Sequence, residues 1–184
     1  MKLLIINSEI ESAPLSSPDV TLVTDSSIIT CKNPLFLPDA ATEYRVEFMP
    51  AFRIHRLGKS ISKKFAARYY DAVTLLARVM PVIDGKIVRN GSAIYTAYDS
   101  AIIKGEWIED FSNEITISFS GKTFNTTVEA LRINEYIEIL SRYMSMKIGD
   151  IVAPGFIPVQ ITPVIDSRIE ATMLEKEVIN IKVK

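Results

Sequence analysis

The stretch EYRVEFMPAFRIHRL, residues 43–57, is the longest strand candidate in the chain. Side chains alternate between the two faces of a strand. One face of this segment therefore carries Glu43, Arg45 and Glu47, while the other carries the apolar residues Tyr44, Val46, Phe48, Phe52 and Ile54. Pro50 has no backbone donor, so it predicts a bulge or an edge position. The charged row is either a solvated outer face or part of a functional site.

Short alternating segments surround this strand, and two stretches show helical spacing. ITISFSGKTFNTTVEALRI predicts a hairpin that turns near Gly121. Helices are expected near residues 62–70 and 135–144, with Asn134 as the cap of the second. Asp84-Gly85 and Asn90-Gly91 each predict a tight turn. The sequence therefore predicts a mainly β chain with two short helices, which is an α+β fold.

Length and composition favour one globular domain over residues 1–184, because 184 residues are too few for two well-sized domains. The chain is 48% hydrophobic and 23% charged, with a net charge of -1. This balance gives no electrostatic reason to expect a nucleic-acid or membrane partner. The opening MKLLII is too short an apolar run for a signal peptide or a membrane span, so we expect a cytoplasmic protein.

Cysteine and histidine are nearly missing from the chain. Cys31 and His55 are the only residues of their types. An internal disulfide, a cysteine-rich metal site and a histidine-rich zinc site are therefore excluded, and a Ser-His-Asp triad is not expected. The chain also lacks G-x-S-x-G, a phosphate-binding loop and a Rossmann fingerprint. Any chemistry must rest on carboxylates, lysines or backbone groups.

Four segments, taken in order, resemble one known family. They are SISKKFAARYYDAV at 60–73, AYDSAIIKGEWI at 97–108, the hairpin and helix at 115–141, and SRYMSMKIGDIV at 141–152. From Lys32 onward the chain resembles the fumarylacetoacetate hydrolase family in its shorter bacterial form, with residues 1–30 as a shortened, divergent N-terminal segment. The resemblance implies a mixed β-sandwich roll, often a homodimer. It also implies hydrolase, isomerase or decarboxylase activity on keto-acids, with Mg²⁺ or Ca²⁺ held by carboxylates.

The resemblance also implies where the metal ligands would lie, and most of those positions are not acidic here. The family's Glu-x-Glu falls on Arg45 and Glu47. Its third ligand, an aspartate, falls on Arg78 in an ungapped alignment, or on Thr74 if the register slides. A cation beside one carboxylate repels a divalent ion. We therefore expect no metal and no other cofactor.

Two further family positions bear on substrate binding. The family lysine falls on Thr96, although Asp99 beside it keeps the pattern. The leading hypothesis is a catalytically degenerate protein with this fold, that is, a pseudoenzyme, which binds a small carboxylate or keto-acid. Its candidate ligand-binding residues are Arg45, Glu47, Arg78, Thr96 and Asp99.

Two alternatives remain open at the level of sequence. The first is an active hydrolase, isomerase or decarboxylase that takes its acids from Glu43, Glu47, Asp99 or Glu106. The second is a structural or interaction subunit that pairs with an active relative. A homodimer is expected, as the resemblance implies.

Overall fold

The structure is a computed structural model that describes residues 1–12, 17–89 and 96–184. The strands within these ranges are β1 (Lys2–Ile6), β2 (Val20–Thr24), β3 (Ile28–Thr30), β4 (Tyr44–Ile54), β5 (Tyr70–Ile83), β6 (Lys86–Ile87), β7 (Ile102–Lys104), β8 (Glu114–Phe119), β9 (Lys122–Thr127), β10 (Ile151–Ala153), β11 (Gln160–Ile161), β12 (Arg168–Met173) and β13 (Lys176–Lys182). The α-helices with described bounds are α1 (Lys63–Ala66) and α2 (Ile133–Tyr143). The mainly β fold with two short helices is confirmed.

Nine strands form a mixed sheet whose main path runs β2-β1-β10-β4-β5-β7-β3, with β11 paired to β4 and β6 to β5. The outermost strands of that path, β2 and β3, are joined by the three-residue 3-10 turn Asp25–Ser27. Because so short a link connects the two ends, the sheet must curl until they come close together. The curled sheet therefore has an inner face and an outer face.

The outer face packs on the second sheet, which has the order β13-β12-β8-β9, and on α2. Even-numbered residues of β4 supply this contact: Phe48 and Phe119 of β8 lie 4.2 Å apart between ring centroids. Tyr136, Ile137 and Leu140 of α2 belong to the same core. The apolar side of the alternating segment is thus the side that joins the two sheets, as the sequence predicts.

The inner face is lined by odd-numbered residues of β4 and their neighbours. Its buried aliphatic centre includes Met49 and Ala51 of β4 and Leu76 of β5, together with Leu3, Ile5 and Ile151. Because alternation continues along each strand, Glu47 and Arg78 extend the same face toward one end of the curled sheet. The charged row is therefore partly an interior feature, not a solvated outer face.

The prediction that Pro50 marks an edge or a bulge is wrong. β4 lies inside the sheet, and the ladder irregularity falls between Arg53 and Ile54. The backbone N–H and C=O groups of even-numbered residues in β4 point toward β10 and β11. The Phe48 carbonyl, for example, accepts a hydrogen bond from the Ile157 N–H at 2.8 Å. On that side β11 pairs with β4 at Val46 and Glu47, and β10 pairs with β4 at Phe52 and Arg53. Pro50 lies in the gap between them, where its missing donor leaves no ladder bond unmade.

Both predicted helices are present, with different ends. The first covers one turn, 63–66, and not 62–70, because Tyr70 already pairs with Ile54 in the β4–β5 ladder. The second begins at Ile133, so Asn134 lies inside it and is not its cap. Arg132 holds the N-cap position in a left-handed conformation, without a side-chain cap bond.

The predicted turns and the N-terminal segment divide between described and undescribed residues. The Asp84-Gly85 turn connects β5 to β6, and the hairpin turn at Gly121 connects β8 to β9. The Asn90-Gly91 turn lies outside the described residues. The divergent segment 1–30 supplies β1, β2 and β3 to the large sheet. No helix in the described part of the chain is long and apolar enough to span a membrane.

Candidate functional site

The centre of the candidate site is a buried ion pair between β4 and β5. Glu47 and Arg78 are directly opposite in the antiparallel register, so the strands themselves bring the two side chains together. Arg78 donates from Nε to Glu47 Oε1 at 2.8 Å, and its Nη2 contacts the same oxygen. The side chain of Glu47 is 0% exposed and that of Arg78 is 6% exposed. The pair is charge-assisted, and only one of its two members is a carboxylate.

Two residues that the sequence hypothesis did not include complete the cluster. Arg89, just beyond β6, donates from Nε to Glu47 Oε2 at 3.0 Å. Its guanidinium carbon lies 4.9 Å from the centre of the Phe156 ring. Asn7, just beyond β1, accepts from Arg78 Nη1 at 3.0 Å. We call Glu47, Arg78, Arg89 and Asn7 the arginine cluster.

Nothing in the local sequence identified Arg89, because it lies in a loop and no periodicity marks it. Asn7 had one weak signal, as the first polar residue after the apolar run of β1. Side-chain alternation along β1 continues the inner face from Leu3 and Ile5 to residue 7. That signal becomes useful only once the neighbours of β1 in the sheet are known.

Burial and charge act in opposite directions on Arg78. Burial lowers the pKa of the Arg78 guanidinium, and the charge and hydrogen bonds of Glu47 raise it. Arg89 also lowers this pKa, whereas the exposed carboxylate of Asp19 raises it. Arginine remains protonated at neutral pH in proteins. The arginine cluster therefore holds two positive charges, one of them buried, against the one negative charge of Glu47, with Asp19 as a solvent-exposed counter-charge.

Arg45 and Thr74, two further positions from the sequence analysis, make their described contacts with residues outside this cluster. Arg45 makes its ion pair with Glu43 and also donates to the Tyr44 carbonyl at 3.2 Å. Thr74 is buried nearer the start of β5, where its hydroxyl donates to the Glu106 carbonyl at 2.8 Å. Of the two alignments left open, the one with Arg78 places its residue opposite Glu47.

Thr96 and Asp99 lie close to the start of the last described range. Thr96 is half-buried and Asp99 is exposed. Between them, Tyr98 donates from its hydroxyl to the Val79 carbonyl at 2.9 Å, which ties this segment to β5. No hydrogen bond or ion pair links the Asp99 carboxylate to another described residue. The role of Thr96 and Asp99 in ligand binding stays a prediction.

The donor set at this position does not fit a divalent cation. Both carboxylate oxygens of Glu47 already accept from guanidinium groups. Within residues 1–12, 17–89 and 96–184 there is no group of three or more His, Cys, Asp or Glu side chains that could hold a metal ion. Mg²⁺ and Ca²⁺ require about six or more oxygen ligands. A metal would have to displace two arginines to reach a single carboxylate.

Comparison with known proteins finds solved structures with the same fold. No family profile matches the sequence, and no curated protein is similar to it. Among solved structures, a fumarylacetoacetate hydrolase family protein from Yersinia pestis is similar over 100% of this chain and 92% of its own, with a TM-score of 0.80 and 15% identity. A 5-carboxymethyl-2-hydroxymuconate delta-isomerase from Mycobacterium smegmatis is similar over 99% of this chain and 76% of its own, with a TM-score of 0.80 and 19% identity.

A third structure shows a ligand in a relative of this fold. Fumarylpyruvate hydrolase from Pseudomonas aeruginosa, in complex with Mn²⁺ and pyruvate, is similar over 100% of this chain and 89% of its own. The TM-score is 0.79 and the identity 12%. Because the likeness includes residues 1–30, it extends beyond the part of the chain in which the sequence resembles the family. The chain has the fold of the fumarylacetoacetate hydrolase family.

Proposed function

We propose that this chain is a metal-free, catalytically degenerate protein of the fumarylacetoacetate hydrolase fold, which binds a small carboxylate such as a keto-acid at Arg89. The observation that carries the proposal is that both carboxylate oxygens of Glu47 are engaged by guanidinium donors, one from Arg78 and one from Arg89. The two arginines have different roles, one structural and one in ligand binding.

Arg78 is a structural partner of Glu47. Its Nε, Nη1 and Nη2 atoms all bond to protein acceptors, and its side chain is almost fully buried. A divalent ion that approached Glu47 would have to meet this fixed positive charge in a site of low dielectric, where like charges repel strongly. Arg78 therefore contributes a positive field to the site, and four of its five N–H groups are already used by the protein.

Arg89 has the donors that a ligand needs. Its side chain is 31% exposed, and only Nε is used by Glu47. Its Nη1 and Nη2 atoms make no hydrogen bond to the described residues. The cation–π contact with Phe156 restrains the Arg89 side chain, which reduces the entropy lost when an anion binds. A guanidinium binds a carboxylate through two parallel hydrogen bonds. Because the positive surplus of the cluster is small, a monoanion suits it better than a dianion.

Calorimetric titration tests the proposal. Pyruvate, oxalate, Mg²⁺, Mn²⁺ and Ca²⁺ are titrated into the wild-type protein, Arg89→Gln and Arg45→Gln. Arg45→Gln is the matched control, since Arg45 is on the same strand as Glu47 but pairs with Glu43. We expect pyruvate binding that weakens about tenfold or more in Arg89→Gln, from the loss of charge-assisted bonds worth about 1.5–3 kcal/mol. Tight metal binding, or pyruvate binding unaffected by Arg89→Gln, would contradict the proposal.

The enzyme alternative requires the remaining acids to gather in one place. Glu43 is paired with Arg45, Asp99 is exposed, and Glu106 lines a different surface cleft beside Cys31. This dispersal gives no support to a carboxylate site. An assay for fumarylpyruvate cleavage with added Mn²⁺ tests the alternative, and turnover that depends on any of these acids would favour it over our proposal.

A further inference from the structure

A different part of the surface is strongly basic. Residues 55–68 and 142–148 together contain seven lysines and arginines and no aspartate or glutamate. The two segments pack together: Gly58 and Met146 exchange backbone hydrogen bonds, and the Ser60 N–H donates at 2.9 Å to the carbonyl of Ser141, the residue just before the second segment. We call these two segments the basic surface. It shares no residue with the arginine cluster, so its role is independent of the proposed function.

Most of the positive charge on the basic surface is not neutralised. Lys63 pairs with Glu135 and Arg142 with Glu138. No ion pair connects the other five cations to the described residues; these are Arg56, Lys59, Lys64, Arg68 and Lys147. The whole chain has 21 lysines and arginines against 22 acids. Outside the basic surface the sequence has 14 lysines and arginines against 22 acids, so the near-zero net charge hides an uneven distribution.

Apolar side chains project from the same surface. Tyr143 is 75% exposed, Ile148 71%, Leu57 64% and Phe65 42%. Residues so exposed stand out from the protein and do not line a groove. The Lys64 ammonium and the Arg68 guanidinium both lie near the Phe65 ring, at 4.8 and 5.1 Å from its centre. Cations and apolar tips are thus interleaved.

We propose that the basic surface binds peripherally to membranes that contain anionic lipids. Lysine and arginine are attracted to the negative lipid headgroups, while exposed aliphatic and aromatic tips enter the boundary between headgroups and acyl chains. Leu57 and Ile148 favour a membrane over a nucleic acid as the partner. Aliphatic side chains neither stack on bases nor contact phosphates, so a nucleic acid would leave them unused. This inference departs from the expectation, drawn from net charge alone, that the protein has no membrane partner.

Vesicle co-sedimentation tests the inference. Wild-type protein is mixed with phosphatidylcholine vesicles that contain either no phosphatidylserine or roughly 30% of it, at low and at physiological salt. We expect binding only with phosphatidylserine, and weaker binding at higher salt. Lys59→Glu with Lys64→Glu, and separately Leu57→Ser with Ile148→Ser, should each lower the partition coefficient about tenfold or more.

The matched control is Lys86→Glu with Lys122→Glu, which makes the same charge change at the exposed first residues of β6 and β9, outside the basic surface. It should bind vesicles much like the wild-type protein does. Equal far-UV circular dichroism among the variants excludes unfolding as the cause. Binding that ignores lipid charge, or that persists after Leu57 and Ile148 are replaced, would overturn the proposal. A protein that binds a single-stranded oligonucleotide but no vesicle would overturn it in favour of a nucleic-acid partner.

Discussion

Glu47 and Arg78 occupy directly opposed positions in the β4–β5 ladder, and each is buried with the other as its main charge partner. The burial of a charge is expensive unless an opposite charge and hydrogen bonds compensate for it. The two residues are therefore energetically dependent on each other. Replacement of one should have a different effect from replacement of both.

Arg78→Met leaves the Glu47 carboxylate buried without its main partner. We expect the free energy of unfolding to fall by about 3–5 kcal/mol, as is usual when one member of a buried ion pair is removed. Glu47→Leu should have an effect of similar size. The double variant should be more stable than either single variant, because Arg89 is partly exposed and can turn toward solvent. Urea denaturation measures all three, and strictly additive losses would contradict the coupling.

Asn134 provides a test of where α2 begins. Its Oδ1 atom is buried without a hydrogen-bond partner, and the residue lies within the helix and not at the cap. Asn134→Ala should therefore leave the protein equally stable or more stable, because alanine is the better helix former. Loss of an N-cap would instead cost about 0.5–2 kcal/mol. A thermal melt separates the two outcomes, and a clear loss of stability would restore Asn134 as the cap.

The ion pair between Arg53 and Asp71 predicts a small acid sensitivity. Hydrogen bonds from Arg53 lower the pKa of the Asp71 carboxyl in the folded protein. Its stabilisation is therefore present above the unfolded pKa of about 3.9 and is lost as the pH falls through the lower, folded value. The pair is partly exposed, so the effect should be below about 1 kcal/mol.

Comparison of Asp71→Asn with Asp110→Asn isolates this contribution, because Asp110 is exposed and takes no part in the pair. Unfolding curves are measured at neutral pH and again below pH 4. Asp71→Asn should be less stable than the control at neutral pH, and the difference should shrink in acid. A difference in stability that grows in acid would contradict the predicted lowering of the Asp71 pKa in the folded protein.

Gly105 occupies a position that excludes any side chain. A Cβ atom there would lie 2.8 Å from the Val178 carbonyl oxygen and 2.9 Å from that of Leu75. Both neighbours are backbone atoms, so relief requires β5 and β13 to separate. Gly105→Ala should lower the free energy of unfolding by about 1–3 kcal/mol or more. Gly121→Ala is the control, since a Cβ would meet no atom within 4 Å there and only backbone strain applies. Equal losses would contradict the steric argument.

The expected homodimer can be tested together with the basic surface. A two-fold interface places the same patch of each copy face to face, so an interface on the basic surface would oppose like charges. Any dimer should therefore use another surface, and Lys59→Glu with Lys64→Glu should leave its mass unchanged. Light scattering at micromolar concentration gives the mass. A monomeric wild-type protein would contradict the predicted dimer. A change of mass in the variant would indicate that the dimer interface includes the basic surface.

What could be predicted from the sequence was mainly local. Alternation in residues 43–57 correctly assigned which side of β4 faces the core, because the period of two is a property of the strand itself. The hairpin that turns at Gly121 was predicted from the same alternation, together with its turn residues. The ends of α1 could not be predicted this way, since pairing between Tyr70 and Ile54 decides where β5 begins. Pro50 was misjudged for a similar reason: its tolerance depends on a gap between two other strands.

In the candidate site, too, local features could be predicted and tertiary contacts could not. Alignment to the family drew attention to Glu47 and Arg78, and strand register brings them together. Arg45 was grouped with them because the family's Glu-x-Glu falls on Arg45 and Glu47, but Arg45 forms its ion pair with Glu43, on the same face. Arg89 and Asn7 reach the cluster from segments far apart in sequence, which no local pattern could reveal. Residues joined only by tertiary folding are the ones that sequence reasoning missed.

The link Asp25–Ser27 has a consequence for the protein's resistance to aggregation. A strand at the border of a sheet presents unpaired N–H and C=O groups that another chain can extend. Here β2 and β3, the two border strands of the main path, are separated by only these three residues. The short link holds these two borders close together, so a second chain would have little space to pair with either strand. Cleavage of the link would remove this restraint, although β2 would stay paired with β1 and β3 with β7.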